Sequence, residues 1–179
     1  MNLPASETIT FEEAIAFTQS LLAKIETMTE VEKEQAIASL VKTENGARGF
    51  FVTYLTDERS FADCHSSGIV KGLKSAPEIV SELLVKNVAM STAMAMTHRR
   101  NNHQEMAHKS ARVTNRSIDL IAKLQLDIIA QKFKKLQETI AQGKGEYQQF
   151  IQRCGYDEEQ KQKIQKVVEQ INSEVDQVL

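Results

Sequence analysis

The chain has no tryptophan, and it carries only two prolines and seven glycines in 179 residues. That scarcity of turn-forming residues argues against a turn-rich β-sandwich or barrel and favours helices. Aromatics make up 6% of the sequence, so aliphatic and methionine side chains must fill the core. The two cysteines, Cys64 and Cys154, are far apart and lack Cys-x-x-Cys spacing. They read as free thiols in a reducing compartment rather than as a bridge or zinc ligands. The longest apolar segment, Ile79 to Met96, includes Glu82 and Lys86 and reads as too short to cross a bilayer comfortably. The opening residues, Met1 to Glu7, show neither the basic region nor the apolar run of a signal peptide. The expectation is a cytoplasmic chain with no membrane partner. A phosphate-cradling loop and a dinucleotide fingerprint are also missing, so no cofactor is implied.

What is present has the composition of an ordinary globular protein, 41% hydrophobic and 26% charged. Ser75-Ala76-Pro77-Glu78 reads as a helix start, with a capping hydroxyl, an early proline and an acid. From Ile79 to Gln142 there is then neither glycine nor proline. One unbroken helix over that span would be roughly 100 Å long, beyond what a compact domain of this size can hold. The polar run His98 to His103 is the expected break. The stretch 77–142 should therefore form a helical hairpin, its second arm the longest helix of the structure.

The remaining segments supply further helices. Thr10-Phe11-Glu12-Glu13 and Thr29-Glu30-Val31-Glu32 are capping boxes, and the helices they start should pair antiparallel, the second stopped by Asn45-Gly46. Residues 47–55 have strand-like composition but no partner strand, so they read as a short buried helix. A DNA-reading helix-turn-helix is disfavoured there, because Phe50, Phe51, Val52 and Leu55 cannot address base edges. Gly143-Lys144-Gly145 reads as a hinge, Gly155 as the stop of a short helix, and Asp157 as the cap of a last helix over 157–179. The expected fold is all-α, a single domain of about six to eight helices built around the central hairpin.

Charge is unevenly spread behind a net value of −2. Residues 1–60 hold ten acids against five bases, residues 97–116 hold five bases against one acid, and residues 157–179 return to −3. Arg99 and Arg100 sit at the expected break, while Lys109, Arg112 and Arg116 recur at helical spacing along one side. Such a stripe could hold phosphates. It lacks the interleaved exposed aromatics of single-strand binders, so nucleic acid is the less favoured partner. Pairing with Glu12, Glu13, Glu30, Glu32 and Glu34 is the simpler expectation.

Other groups point more weakly to chemistry. Glu105 and His108 have the Glu-x-x-His spacing of di-metal bundles, but no second such pair exists, so no metal site is assigned. His98, His103 and His108 would not share a face of a continuous helix. Asp63-Cys64-His65 sets a thiol beside an imidazole without an oxyanion context, and no catalytic residue is assigned. Met90, Met94, Met96 and Met106 lie near the hairpin turn, as core filler or as an adaptable binding surface. In the last helix Ile164, Val168, Ile171, Val175 and Val178 form a short heptad seam suited to a partner or to self-association. The chain is thus expected to be a non-enzymatic helical interaction protein, with a phosphate-bearing ligand or nucleic acid held by the 97–116 segment as the alternative and a helical-bundle metal or cofactor enzyme using Glu105 and His108 ranked third.

Overall fold

A computed structural model describes residues 9–176, with side chains as far as Ser173. Among the described residues the fold is all-α, with nine helices, one 3-10 turn and no strand. The helices are α1 (Phe11–Leu22), α2 (Glu30–Leu40), α3 (Glu44–Thr56), α4 (Ser67–Lys74), α5 (Pro77–Arg100), α6 (Gln104–Leu124), α7 (Asp127–Gln142), α8 (Gln148–Cys154) and α9 (Glu158–Asp176). The 3-10 turn is Ser60–Asp63. Contacts group the described residues into two compact units, divided between Leu83 and Leu84. No linker marks that division in the sequence, because it falls inside the continuous helix α5.

Local signals explain most of the boundaries. At α1 the Thr10 hydroxyl accepts from the Glu13 amide while the Glu13 carboxylate accepts from the Thr10 amide. Thr29 and Glu32 repeat this at α2. Each such cap typically contributes on the order of 1 kcal/mol. Gly143 and Gly155 close α7 and α8 with φ of 69° and 63°, in the left-handed region that suits glycine.

Other boundaries differ from expectation. Asn45-Gly46 does not stop α2, which ends at Leu40; Thr43 instead caps α3, accepting from the Gly46 amide at 3.1 Å. Ser75 closes α4, its hydroxyl donating to the Gly72 carbonyl. Residues 47–55 lie within α3, where Phe50, Phe51, Tyr54 and Leu55 are buried. The arm expected as the longest helix is two helices, so α5 is the longest. Gln125 ends α6 in a left-handed conformation, φ 48°, which a side chain adopts at a cost of roughly 1–2 kcal/mol. This extra break also accounts for a helix more than expected.

The helix pairs that approach most closely in the first unit are not α1 with α2, the pair expected to run antiparallel. α1 packs on α3, and α2 on α4. Gly49 of α3 lies against Ala14 and Ile15, and the starts of both helices (Thr10–Glu12 and Thr43–Asn45) line one shallow depression, so α1 and α3 run in the same direction. On α4, Gly68 lies against Glu30 and Lys33, while Gly72 lies against Glu34 and Ile37, again a parallel run. A Cβ on Gly49 would stand 2.4 Å from the Ala14 Cβ, and one on Gly68 would stand 2.2 Å from the Glu30 carbonyl oxygen. These helices therefore touch at the level of their backbones.

That closeness lets α2 cap α4 from outside. Ser66, the residue before α4, offers no side-chain cap. The Glu30 carboxylate accepts from the Gly68 amide at 2.5 Å and from the Ser67 hydroxyl at 2.9 Å, and it also pairs with Lys33. The Lys33 ammonium, then the Gly68 amide and the serine hydroxyl, hold this carboxyl well below its ordinary range, at about 2.

In the second unit, Ser91 and Thr114 share a hydrogen bond of 2.7 Å that joins α5 to α6. Ala89, Ser91, Ala93 and Ala95, all small, are buried. α9 packs on α7. Helix α5 is long and apolar enough to cross a membrane, contrary to the sequence reading, although 61% of its most apolar stretch is buried inside the protein.

Two outcomes follow from these contacts. A helical glycine replaced by alanine ordinarily gains up to about 1 kcal/mol. Gly49→Ala should instead destabilise by about 1–3 kcal/mol, measured by urea unfolding, because Ala14 and the α1 backbone leave no room. Glu30→Gln should lower the urea midpoint at neutral pH. The folded-state carboxyl is depressed, so its contribution is present above the ordinary value of 4.5 and is lost as pH falls toward about 2. The two proteins should accordingly converge between those values.

Candidate functional site

The five cations singled out in the basic segment do not form one open face. Arg99 is exposed at the end of α5. Arg100 reaches across to the start of α9, where its guanidinium donates to the carboxylates of Asp157 and Glu159. Lys109 pairs with Glu105 at 2.9 Å, one turn back on α6. Arg112 is half-buried, its Nε enclosed without a hydrogen-bond partner. Arg116 is only 2% exposed and is among the largest fully buried side chains. The spacing does place Lys109, Arg112 and Arg116 on one side of α6, but that side turns inward along its length.

The acids that neutralise Arg100 and Lys109 belong to the same unit as the basic segment. The Glu30 and Glu32 carboxylates are engaged in the α4 cap and the α2 capping box. Hydrogen bonds from Arg100, and then from the Gln160 amide, hold the Asp157 carboxyl below its usual range. The same contacts, Asp157 first and Glu159 second, push the Arg100 guanidinium up.

Around this ion pair lies a polar junction that sequence reading found only in part. Asp157 caps α9 by accepting from the Gln160 amide at 2.9 Å, and the Gln160 side chain accepts from the Asp157 amide at 3.0 Å. The Gln160 amide group also donates to the Ala93 carbonyl at 3.2 Å and to the Thr97 hydroxyl at 3.0 Å. One glutamine thus completes a capping box and stitches α9 to α5. The Asp-x-x-Gln spacing was a readable signal for the cap; its second role was not readable.

The described part of the α9 seam is occupied. Ile164, Val168 and Ile171 are buried, together with Val167. The Val175 side chain and Val178 lie outside the described residues. Three methionines, by contrast, are open: Met90 and Met94, one turn apart on α5, are 42% and 46% exposed, and Met106 on α6 is 46% exposed. Val31, in the first turn of α2, is 61% exposed.

Cys64 and His65 face different surroundings. Both cysteines are exposed free thiols. His65 is 5% exposed, and its Nδ1 is 2.7 Å from the Tyr54 hydroxyl, also buried, so it serves the packing of the first unit. Glu105 and His108 do not assemble a di-metal set: Glu105 is tied to Lys109, and among the described residues no three His, Cys, Asp or Glu side chains converge.

Fold and site together define an all-α protein of two helical units, its basic segment largely committed to its own structure. Residues 10–171 match the family model described as Uncharacterised conserved protein UCP020893, and the chain belongs to that family. No curated protein and no solved structure matches it.

The junction predicts its own failure. Arg100→Gln should raise amide hydrogen exchange over residues 158–162 and lower the melting temperature. The effect should be larger at low ionic strength, since the ion pairs are solvent-accessible and salt screens them. Equal exchange in the two proteins would show that the Arg100 ion pairs do not secure the start of α9.

Proposed function

We propose that the protein is a non-catalytic helical interaction protein of the cytoplasm, and that it binds a protein partner or a second copy through the methionine surface of α5 and α6. The observation that carries this reading is the exposure of Met90, Met94 and Met106. Met90 and Met94 stand one turn apart on the same side of α5, apolar side chains open side by side suit a contact surface, and unbranched methionine adapts to varied partners. The seam of α9 supports the reading less, because Ile164, Val168 and Ile171 are already spent on the protein's own core. Deleting α9 would for the same reason disturb folding and association together.

An anion held by the basic segment is the second reading. The buried, unpartnered Nε of Arg112 favours it. The burial of Arg116 and the ion pairs of Arg100 and Lys109 leave that stripe less able to bind phosphate than its sequence implies.

The test compares the full chain with a Met90→Ser, Met94→Ser, Met106→Ser variant in sedimentation velocity over a wide concentration range and in affinity capture. The expected result is an assembly or a specific partner that the triple variant loses while its melting temperature stays within a few degrees of the parent. A monomer at every concentration, with the same proteins captured by parent and variant, would overturn the proposal.

A further inference from the structure

The break between α5 and α6 brings together two side chains that an unbroken helix would hold apart. Five residues along a straight helix turn a side chain about 140° away from its starting direction. Here Asn102 adopts a φ of 58°, and the His103 amide donates to the His98 carbonyl at 2.8 Å. The two imidazole rings consequently stand 6.3 Å apart between centroids and tilted by 42°. His98 is half-buried and His103 is exposed.

We propose that His98 and His103 form a two-imidazole chelate for a borderline transition-metal cation, of which Zn2+ and Ni2+ are the practical probes. Imidazole nitrogen binds zinc at about 2.0–2.1 Å, which sets two ring centroids on a tetrahedral ion roughly 5 Å apart. The observed separation exceeds that by about 1 Å, a gap that rotation of the exposed His103 side chain can close. Half-burial fixes His98 as the anchoring ligand, and solvent completes the coordination.

The surroundings set the selectivity. Glu105 is tied to Lys109, Asp157 and Glu159 are tied to Arg100, and Arg99 stands exposed nearby in the chain. Neutral nitrogen donors with no assembled carboxylate set suit zinc, nickel or copper, whereas magnesium and calcium require oxygen ligands. A bound ion would bridge the end of α5 to the start of α6.

The experiment titrates the full chain with Zn2+, Ni2+ and Ca2+ by calorimetry, while NMR follows the imidazole resonances. The expected result is one saturable equivalent of Zn2+ or Ni2+ that moves the His98 and His103 resonances. His98→Asn or His103→Asn should weaken binding by about tenfold or more, and His108→Asn should not. Circular dichroism of each variant checks that the fold is kept, which exposed His103 in particular makes a clean substitution. Absence of saturable uptake, uptake that survives the double His98→Asn, His103→Asn variant, or equal uptake of Ca2+ would each overturn the proposal.

Discussion

The first unit depends on helices meeting at backbone distance, with Gly49 on Ala14 and with Gly68 and Gly72 on α2. Ordinary helix pairs are held about 8–10 Å apart by their side chains. Removing the Cβ at the crossing point brings carbonyls and amides of one helix within reach of side chains on the other. The Glu30 cap is a direct result. A carboxylate on α2 can satisfy an orphan amide of α4 only because Gly68 lets the start of α4 settle against residues 30–33. Packing and electrostatics are one device here, and the glycine is its prerequisite.

The second unit solves a different problem, that of a basic segment beside an acidic last helix. The start of α9 brings Asp157 and Glu159 to Arg100, and the cap of α9 is built from the same Asp157. Exposed ion pairs contribute little one by one. Their effect here is on register: Gln160, reaching the Ala93 carbonyl and the Thr97 hydroxyl, fixes where along α5 the last helix begins. Ile164, Val168 and Ile171 then fall inward. This anchoring sets the first three residues of the seam against the protein's own core.

Much of the fold could be read from the chain because its signals are local. Capping boxes, the glycine hinge at 143–145 and the glycine after Cys154 act within a few residues, and the structure contains them where the sequence places them. Pairing was not legible, since sequence neighbours are the first guess for spatial neighbours and α1 and α2 depart from it. The signal that could have corrected this was the Gly68-x-x-x-Gly72 spacing on α4, together with Gly49, which mark faces able to accept a close neighbour. The break at Gln125 was hidden for a different reason. A left-handed residue is expected to be glycine or asparagine, and glutamine gives no such warning. The candidate site was the least legible part. Helical spacing aligned Lys109, Arg112 and Arg116 correctly on one side, but spacing carries no information about whether that side faces solvent or core.

The same distinction decides where unspent chemistry lies. Side chains that hold the architecture together are satisfied: Glu30 by amide, hydroxyl and ammonium, His65 by Tyr54, and Arg100 by two carboxylates. Around the turn between α5 and α6 several groups are not used in this way. Met94 and Met106 stand open on either side of it, Arg99 is exposed, and the His98 and His103 rings face each other across it. Asn102 sustains the turn in a backbone conformation that asparagine tolerates better than most residues, so the arrangement costs little to maintain. A helix end that leaves apolar, cationic and imidazole groups exposed or half-buried in this way is the reason the proposed contacts are set at the α5–α6 turn.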